Sequence, residues 1–261
     1  MIKTLVAIEV DLASSLAIRY ACQLGSLLNV ELHPVYVKEP PPEVPATGTG
    51  WVRHTWEREI LEMGKEEIQE MLAGEMESCP QLHEPRVIYG DRQHELLKIM
   101  EHEPFDLYVE GAPYPFTAAN IQRRLSAKFY QRVRTPLIWL RLLRKISQVL
   151  VPCFDAPGTR AASQSLQKIW AGCAVPLHFC LAPGAKDEVV QELMKGQEAL
   201  KAAGCQVALR DDLLMAEGGP APEVMKDYGL VVVALERAIK KDSPLLPWLT
   251  QVKAPMMVVL Y

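Results

Sequence analysis

An internal repeat constrains the fold of this 261-residue chain more than any other feature of its sequence. Three pairs of apolar segments match in the same order along the chain: TLVAIEVDLASS (4–15) with VLVPCFDAPGT (149–159), DLYVEG (106–111) with GLVVVA (229–234), and VRTPLIWL (133–140) with VKAPMMVVL (252–260). The offset between matching residues falls from 145 at Leu5 and Leu150 to 119 at Pro136 and Pro255. We therefore predict two similar domains, residues 1–143 and 144–261, of which the second is shorter.

Short apolar runs alternate with stretches of helical periodicity in both copies, which is typical of an α/β fold with a parallel sheet and helical crossovers. The predicted strands lie near residues 3–9, 30–37, 85–89, 106–110, 136–141, 148–153, 175–181, 205–210, 229–234 and 256–260. Between them, the helical segments include one from Ser14 or Ser15 to about Leu28, HELLKIMEH capped by Asp91, IQRRLSAKFYQRV (121–133), 160–172 and 186–203.

Two of the predicted helices have clear apolar faces. The first face comprises Leu16, Tyr20, Leu24 and Leu27; the second, on a long helix after residue 50, comprises Val52, Trp56, Ile60, Met63, Ile68, Met71 and Leu72. The segment EPPPEVPATGTG (39–50) that precedes this long helix is rich in Pro and Gly, so we predict a loop there.

Composition argues against several classes of function. With 49% hydrophobic and 23% charged residues, the chain is typical of a globular protein, and its net charge of −4 argues against a general nucleic-acid-binding protein. No segment approaches the roughly 20 apolar residues of a membrane span, and Glu9 and Asp11 interrupt the apolar run that would form a signal peptide. We therefore expect a cytoplasmic protein without a membrane span.

The cysteines and histidines give no pattern of a catalytic or metal site. The six cysteines lack CxxC pairs and zinc-site spacing, so we expect buried, reduced thiols. His94 and His102 are two helical turns apart, too far to share a metal without other ligands, and His33 and His178 have no partner nearby in the sequence. Because no Ser-His-Asp order or pair of catalytic carboxylates is found either, we assign no catalytic residue and no metal ligand.

The segment after the fourth predicted strand lies where α/β proteins bind ligands. A phosphate-binding loop there needs glycines, so that backbone N–H groups can approach the anion. This segment has Gly111, but Pro113 and Pro115 each lack a donor. Four aromatic residues lie on or beside the two loops at this end of the sheet, where they could either fill the pocket or line a site for a planar ligand: Trp51, Trp56, Tyr114 and Phe116.

The strand pattern, and above all the run YGDRQHELLKIMEHEPFDLYVEG (89–111), closely resembles the universal stress protein domain, here as a tandem pair. The resemblance covers nearly the whole chain and is stronger in the first copy. It implies a Rossmann-like, adenine nucleotide alpha hydrolase-like domain in each copy, with a five-stranded parallel sheet of order 3-2-1-4-5. In the nucleotide-binding members of the family, ATP is held at the point where the strand order reverses.

The resemblance also implies where a nucleotide site would lie. The family's phosphate loop has a glycine at the position of Gly111, a second glycine at the position of Tyr114, and a later Gly-Ser or Gly-Thr pair at Leu125-Ser126. Its aspartate at the end of the first strand is replaced here by Glu9, and Asp11 could take that part if the first turn differs. In the second copy the corresponding positions are Phe154, which we expect to pack in the core, and Ala234, and the loop after them has no glycine. The ATP site is thus degenerate in the first domain and lost in the second.

A stretch of eight basic residues without an acidic one lies between Glu110 and Asp155, and it includes Arg123 and Arg124. One of these arginines could replace lost N–H donors, or both could lie on a solvated helix face and balance nearby glutamates. Neighbouring residues on a helix differ by roughly 100° in direction, so at most one should point into the crevice. The complete candidate ligand site is Glu9, Val37, Gly111, Arg123, Arg124 and Ser126.

These observations favour a non-catalytic, regulatory or binding module of the universal stress protein type, involved in the stress response. It would bind an unknown protein partner or a small ligand and require no cofactor. The alternative is a nucleotide-binding stress protein that keeps one site for ATP, or for another small anion, in the first domain. The final strands of the two copies are apolar throughout and must be covered or paired, so we predict that they pack together in an internal pseudo-dimer.

Overall fold

A computed structural model of the protein describes residues 1–9, 11–39, 51–182, 184–210, 212–213, 215–216 and 219–261; within them the side chains of 12–13, 51–57 and 215–216 are not described. From residue 40 onward, the predicted loop at 39–50 lies outside the described residues, as do the side chains of Trp51, Val52 and Trp56.

The strands agree closely with the predicted ones, except for a small additional hairpin. They are β1 (Ile2–Ile8), β2 (Val30–Lys38), β3 (Arg86–Tyr89), β4 (Leu107–Gly111), β5 (Leu137–Leu140), β6 (Val149–Cys153), β7 (Leu177–Leu181), β8 (Val207–Leu209), β9 (Met215–Ala216), β10 (Gly219–Pro220), β11 (Leu230–Leu235) and β12 (Met256–Leu260). The helices are α1 (Leu12–Leu27), α2 (Trp51–Ser78), α3 (Arg92–His102), α4 (Ala118–Leu125), α5 (Lys128–Arg132), α6 (Ala156–Trp170), α7 (Asp187–Ala202) and α8 (Leu245–Gln251).

The ten longer strands form one continuous sheet in the order β3-β2-β1-β4-β5-β12-β11-β6-β7-β8. Within each half the order is 3-2-1-4-5 and the strands are parallel. The halves join through β5 and β12, which pair antiparallel with Trp139 opposite Met256 and Leu137 opposite Val258. The α/β class is therefore confirmed, whereas the strand count and order of the whole sheet differ from separate five-stranded sheets.

Helices cover both faces of the sheet, as the apolar character of the strands requires. Alternate residues of β1 show the division, since Val6 and Ile8 belong to the core that also contains residues of α1, α2, α6 and α7, whereas Leu5 and Ala7 belong to the core that contains residues of α3, α4, α5 and α8. In the second half, Phe154 is partly buried against the second of these cores and meets Trp248 edge to face at 5.6 Å, as predicted. No helix among the described residues is long and apolar enough to cross a membrane.

Several predicted details of the helices are wrong. Asp11, not Ser14 or Ser15, caps α1, because its carboxylate accepts a hydrogen bond from the Ser14 backbone N–H at 2.7 Å. Leu27 and Met63 are exposed instead of buried on their helices' apolar faces. Asp91 does cap α3, accepting from the His94 N–H at 2.8 Å.

Two stretches of the chain differ from the predicted helices and loops. The single helix expected at 121–133 is divided into α4 and α5, because Ser126 ends the first helix and Ala127, with an extended backbone, begins the second. The loop expected after β11 contains α8, whose Leu246, Trp248 and Leu249 are buried. Burial of these three side chains overrides the low helix propensity of a segment with two prolines.

The expectation that all cysteines are reduced is also wrong. Cys22 of α1 and Cys79, just after α2, form a disulfide, with their Cα atoms 5.7 Å apart. The two residues are 57 positions apart in the chain, and the packing of α1 beside α2 brings them together. The remaining four cysteines are buried and free, as predicted: Cys153, Cys173, Cys180 and Cys205.

Candidate functional site

A cleft opens in the first half at the carboxyl ends of β1 and β4, where the strand order reverses. Its volume is about 430 Å³, and its lining combines one carboxylate with three guanidinium groups. The lining residues are Glu9, Arg92, Gln93, Pro113, Tyr114, Asn120, Arg123, Arg124 and Ala127. The crevice at such a reversal is the usual ligand site of open α/β sheets, so this cleft is the candidate functional site.

Beneath the cleft lies the carboxylate of Glu110, the next-to-last residue of β4, whose side chain is 0% exposed. Five side chains donate hydrogen bonds to it. Tyr108 and Arg124 reach Oε2 at 2.9 and 2.5 Å, Trp139 reaches Oε1 at 3.1 Å, Tyr130 also donates to Oε1, and Arg92 approaches Oε2 at 3.4 Å. A buried carboxylate needs several hydrogen-bond donors, because burying an unpaired one would destabilise the fold by several kcal/mol.

Secondary structure brings these five donors together. Tyr108 precedes Glu110 by two residues in β4, so both side chains point to the same face of the sheet. Trp139 lies directly opposite Glu110 in the neighbouring β5. Arg92 is the first residue of α3, and Arg124 and Tyr130 come from the successive helices α4 and α5.

The two arginines connect the buried carboxylate to the cleft. Arg92 forms an ion pair with Glu9, with its Nε 2.8 Å from the carboxylate, while its Nη2 approaches Glu110, so it joins the two carboxylates. Arg124 donates from Nη2 to Glu110 and from Nε to the hydroxyl of Tyr130. Both side chains are only 19% exposed, and two nitrogen atoms of each, Nε and Nη2, are paired with these partners.

The charges within this cluster shift its pKa values in consistent directions. Burial alone would raise the pKa of Glu110, but Arg124, Arg92 and the hydroxyls of Tyr130 and Tyr108 outweigh it and hold the pKa below its ordinary value. Burial and the negative charge of Glu110 raise the pKa of Tyr130 and of Tyr108. At neutral pH the cluster therefore contains a carboxylate, two guanidinium ions and two neutral phenols.

The lowered pKa of Glu110 predicts a pH-dependent contribution to stability. A carboxyl group whose pKa is lower in the folded state stabilises the fold above its unfolded pKa of about 4.3, and this contribution is lost as the pH falls through the folded value. We expect the urea midpoints of wild type and Glu110→Gln to differ most at pH 6–7 and to converge progressively as the pH falls below the unfolded pKa of about 4.3. A constant difference between pH 3 and pH 7 would contradict the lowered pKa.

The structure brings three of the six candidate site residues to the cleft, namely Glu9, Arg123 and Arg124. Glu9 is 51% exposed and pairs with Arg92. Arg123 is exposed at the cleft, and Arg124 pairs with Glu110, which is buried and not on a solvated helix face. Asp11, considered as a substitute for Glu9, caps α1 instead.

The other three candidates do not line the cleft. Val37 is a core residue of β2 with 4% exposure. Gly111 ends β4 half-buried, opposite Leu140. Ser126 is exposed, and its hydroxyl donates to the Gln122 carbonyl at 2.9 Å, so it serves the end of α4.

The segment after Gly111 uses backbone donors internally. The Ala112 N–H donates to the Leu140 carbonyl at 2.8 Å, and the Thr117 N–H donates to the Pro115 carbonyl at 3.0 Å. These two N–H groups are therefore unavailable to a phosphate, in addition to the donors that Pro113 and Pro115 lack.

Tyr114 and Phe116, the two of these aromatic residues whose side chains the structure describes, neither fill the cleft together nor form one ligand surface. Tyr114 is 96% exposed at the cleft rim. Phe116 packs edge to face against Trp139, with the ring centroids 6.5 Å apart. The guanidinium of Arg141 lies over the Phe116 ring, 4.3 Å from its centroid. The side chains of Trp51 and Trp56 lie outside the described residues.

The second half has a cleft in the equivalent place, with a different charge. It measures about 390 Å³, and three carboxylates and one lysine lie among the residues that line it: Asp155, Glu236, Ile239, Lys240, Asp242, Ser243, Pro244, Leu245 and Tyr261. Asp155 caps α6 and also accepts a hydrogen bond from the Tyr261 hydroxyl at 2.8 Å. The position that matches Glu110 in the repeat is Val233, a core residue with 0% exposure.

Sequence reasoning missed Glu110, Arg92 and the three aromatic donors Tyr108, Tyr130 and Trp139. One signal was present, because Glu110 is a charged residue within an apolar strand, and such a residue must find partners when the strand is central. Apart from Tyr108, which lies on β4 itself, the partners come from α3, α4, α5 and β5. Their positions relative to β4 depend on packing that the sequence does not specify.

Comparisons with known proteins identify the fold. No protein-family model matches the chain, and no curated protein matches it. A universal stress protein from Archaeoglobus fulgidus DSM 4304 superposes with a TM-score of 0.62 at 13% identity, over 99% of this chain and 98% of that one. A functionally unknown protein from Pseudomonas aeruginosa PAO1 superposes with a TM-score of 0.54 at 14% identity, over 99% and 92%. The chain thus has the fold of a full-length universal stress protein structure, and the predicted resemblance is confirmed for the fold.

Proposed function

We propose that this protein is a non-catalytic, tandem regulatory module of the universal stress protein type, whose first cleft no longer binds ATP. The observation that carries the proposal is the buried carboxylate of Glu110. It lies beneath the cleft and engages Arg92 and Arg124, two cations that could otherwise contact a phosphate there. Glu110 therefore acts as an internal anion in place of a ligand.

Two further observations support the loss of nucleotide binding. In the first half, the N–H groups of Ala112 and Thr117 donate within the protein, so the segment after Gly111 is poorly equipped to cradle phosphates. In the second half, Asp155, Glu236 and Asp242 line the cleft and would repel a triphosphate. We propose that both degenerate clefts leave the module to act through contact with a protein partner.

The rim of the first cleft supports such a contact. Tyr114 projects into solvent from a segment that is anchored at Pro115, because the Pro115 carbonyl accepts from the Thr117 N–H at 3.0 Å and from Asn120 Nδ2 at 2.8 Å. Exposed aromatic side chains on rigid backbones are frequent energetic centres of protein interfaces. We assign the partner-binding role to this rim.

The tandem arrangement fits the same proposal. We propose residues 1–143 and 144–261 as two domains that form a pseudo-dimer within one chain, with the β5–β12 pair at its centre. The cytoplasmic location inferred from the sequence also remains a proposal. It can be examined together with the redox state of Cys22 and Cys79 in protein isolated under thiol-blocking conditions, since disulfides rarely persist in a reducing compartment.

Isothermal titration of the intact protein with Mg-ATP tests the proposal. We expect a dissociation constant of about 1 mM or weaker, which corresponds to a binding free energy of about −4 kcal/mol. The protein as purified should also carry no adenine nucleotide, as measured by absorbance and chromatography after denaturation.

The alternative function, an ATP-binding protein with one working site, predicts a different result. Micromolar binding that Arg123→Ala weakens and Lys240→Ala leaves unchanged would place ATP in the first cleft and overturn the proposal. Lys240 is the matched control, because it is the lysine that lines the second cleft. Binding that Lys240→Ala weakens would instead place ATP in the second cleft and overturn the proposal that this cleft has lost nucleotide binding.

A further inference from the structure

We propose that Glu31, His33 and His83 form a binding site for a divalent transition-metal ion, with Zn²⁺ as the ion that fits best. One ligand atom from each residue lies within 4.8 Å of the others. Two imidazole nitrogens and a carboxylate oxygen are a ligand set that zinc takes in many proteins, and imidazole favours zinc, copper or nickel over magnesium and calcium.

The backbone positions all three side chains. Glu31 and His33 are two residues apart in β2, so they point to the same face of the strand. The residue between them, Leu32, is hydrogen-bonded on both sides to the segment that carries the third ligand. Its N–H donates to the Gln81 carbonyl at 2.9 Å, and its carbonyl accepts from the His83 N–H at 2.9 Å. His83 is thus fixed beside the other two.

The distances are close to those that a metal needs. The Glu31 carboxylate and His33 Nε2 are already 3.2 Å apart. The two imidazole rings lie 4.4 Å apart in a nearly parallel stack. Ligand atoms of a tetrahedral zinc site, each about 2.1 Å from the ion, are about 3.4 Å from one another. The ligand atoms of the three residues lie within 4.8 Å of one another, and rotation of the exposed His83 ring out of the stack would bring its nitrogen closer and complete the triad.

The surroundings support an accessible but ordered site. His33 and Glu31 are half-buried, with side chains 26% and 29% exposed, and the ring of His33 packs edge-on against Phe105 at 5.8 Å. The nearby cation, Lys3, is paired with Glu103 at 3.1 Å and lies over the ring of Phe105. The exposed His83 leaves room for water in the remaining coordination positions.

This site is separate from the candidate cleft. Glu31 and His33 lie near the start of β2, at the amino end of the parallel strands, whereas the cleft lies at their carboxyl ends. Its ligands belong to β2 and to the segment between α2 and β3, so a bound ion would tie that segment to the sheet. The proposal therefore holds whether or not the first cleft binds a nucleotide.

Zinc titration of the intact, oxidised protein tests the site. Competition with a chromophoric chelator should show a single Zn²⁺ per chain, and Co²⁺ should give the visible absorption of a site with nitrogen ligands. His83→Ala and Glu31→Gln should each weaken binding at least about tenfold. Because a bound ligand stabilises the folded state, Zn²⁺ should raise the melting temperature of wild type but not that of His83→Ala.

His94→Ala is the matched control, because His94 is an exposed histidine on α3 that does not belong to the cluster. We expect it to bind zinc as wild type does. Zinc affinity that is equal in wild type and His83→Ala, or that falls as much in His94→Ala, would overturn the proposal. His83 is exposed, so His83→Ala should fold; an unchanged melting temperature without metal verifies this, and Glu31→Gln provides the second measurement.

Discussion

Replacing Glu110 by glutamine is expected to lower the free energy of unfolding by about 3 kcal/mol, because breaking a buried ion pair by removing one partner leaves the other charge uncompensated. Arg124 and Arg92 would both lose their buried counterion. The glutamine amide would also turn donors toward Arg124, Tyr130 or Trp139, which are themselves donors to this site. For a chain of this size, the melting temperature should fall by about 6 °C.

Glu9→Gln is the matched control for this experiment. It removes one carboxylate that pairs with Arg92 at 2.8 Å, but that carboxylate is 51% exposed. Because exposed pairs contribute little, its cost should stay below about 1 kcal/mol. Urea denaturation measures both variants. If Glu110→Gln cost no more than Glu9→Gln, Glu110 would not be the electrostatic centre of the site.

A double-mutant cycle can isolate the contact between the two charges. Arg124→Met keeps most of the volume of the side chain while removing its charge. The double variant Glu110→Gln, Arg124→Met should be more stable than the sum of the single effects predicts, by about 1–3 kcal/mol. Additive effects would mean that Glu110 is stabilised mainly by its other donors.

The architecture could be predicted from the sequence because it depends on patterns that span many residues. The repeat located the ten main strands, and the apolar final strands indicated the pairing of β5 with β12. Errors occurred where tertiary contacts decide local structure. Leu246 and Trp248 become helical by burial, and Cys22 and Cys79 meet only because α1 packs beside α2. Neither contact can be predicted from the local hydrophobic periodicity of the sequence.

The site was predicted less well than the fold, for a related reason. The location of the cleft follows from strand order alone, and with it the positions of Glu9, Arg123 and Arg124. One donor to Glu110, Tyr108, comes from the same strand, and the other four come from α3, α4, α5 and β5, so their convergence is a property of packing. Val37 and Ser126 were included by resemblance, and the structure assigns them to the core and to a helix end.

The buried carboxylate also connects the site to the junction of the two halves. Trp139 donates to Glu110 and, in the same strand, lies opposite Met256 of β12. The junction contains other bonds between the halves, since the buried Tyr20 hydroxyl donates to the Gly229 carbonyl at 2.9 Å and Arg237 donates to the Tyr130 carbonyl at 2.8 Å. Each half therefore satisfies polar groups of the other, so neither should be stable with this surface exposed.

A fragment of residues 1–143 is accordingly expected to self-associate. Without β12, the strand β5 becomes a sheet edge in which Leu137, Ile138, Trp139 and Leu140 are all apolar, and an edge of this kind pairs with another chain. Antiparallel pairing of β5 with a second copy of β5 would reproduce the junction of the intact chain. Size-exclusion chromatography with light scattering should show a dimer or a larger species at micromolar concentration.

Co-expression of 1–143 with 144–261 distinguishes specific pairing of the two fragments from non-specific association. The second fragment offers β12, together with the carbonyl of Gly229 and the guanidinium of Arg237, which a second copy of the first fragment lacks. We therefore expect an equimolar complex to form at the expense of the self-associated species. If the 1–143 fragment were folded and monomeric and did not bind the 144–261 fragment, the first half would not need the second half to complete its sheet. That result would remove the basis for the internal pseudo-dimer.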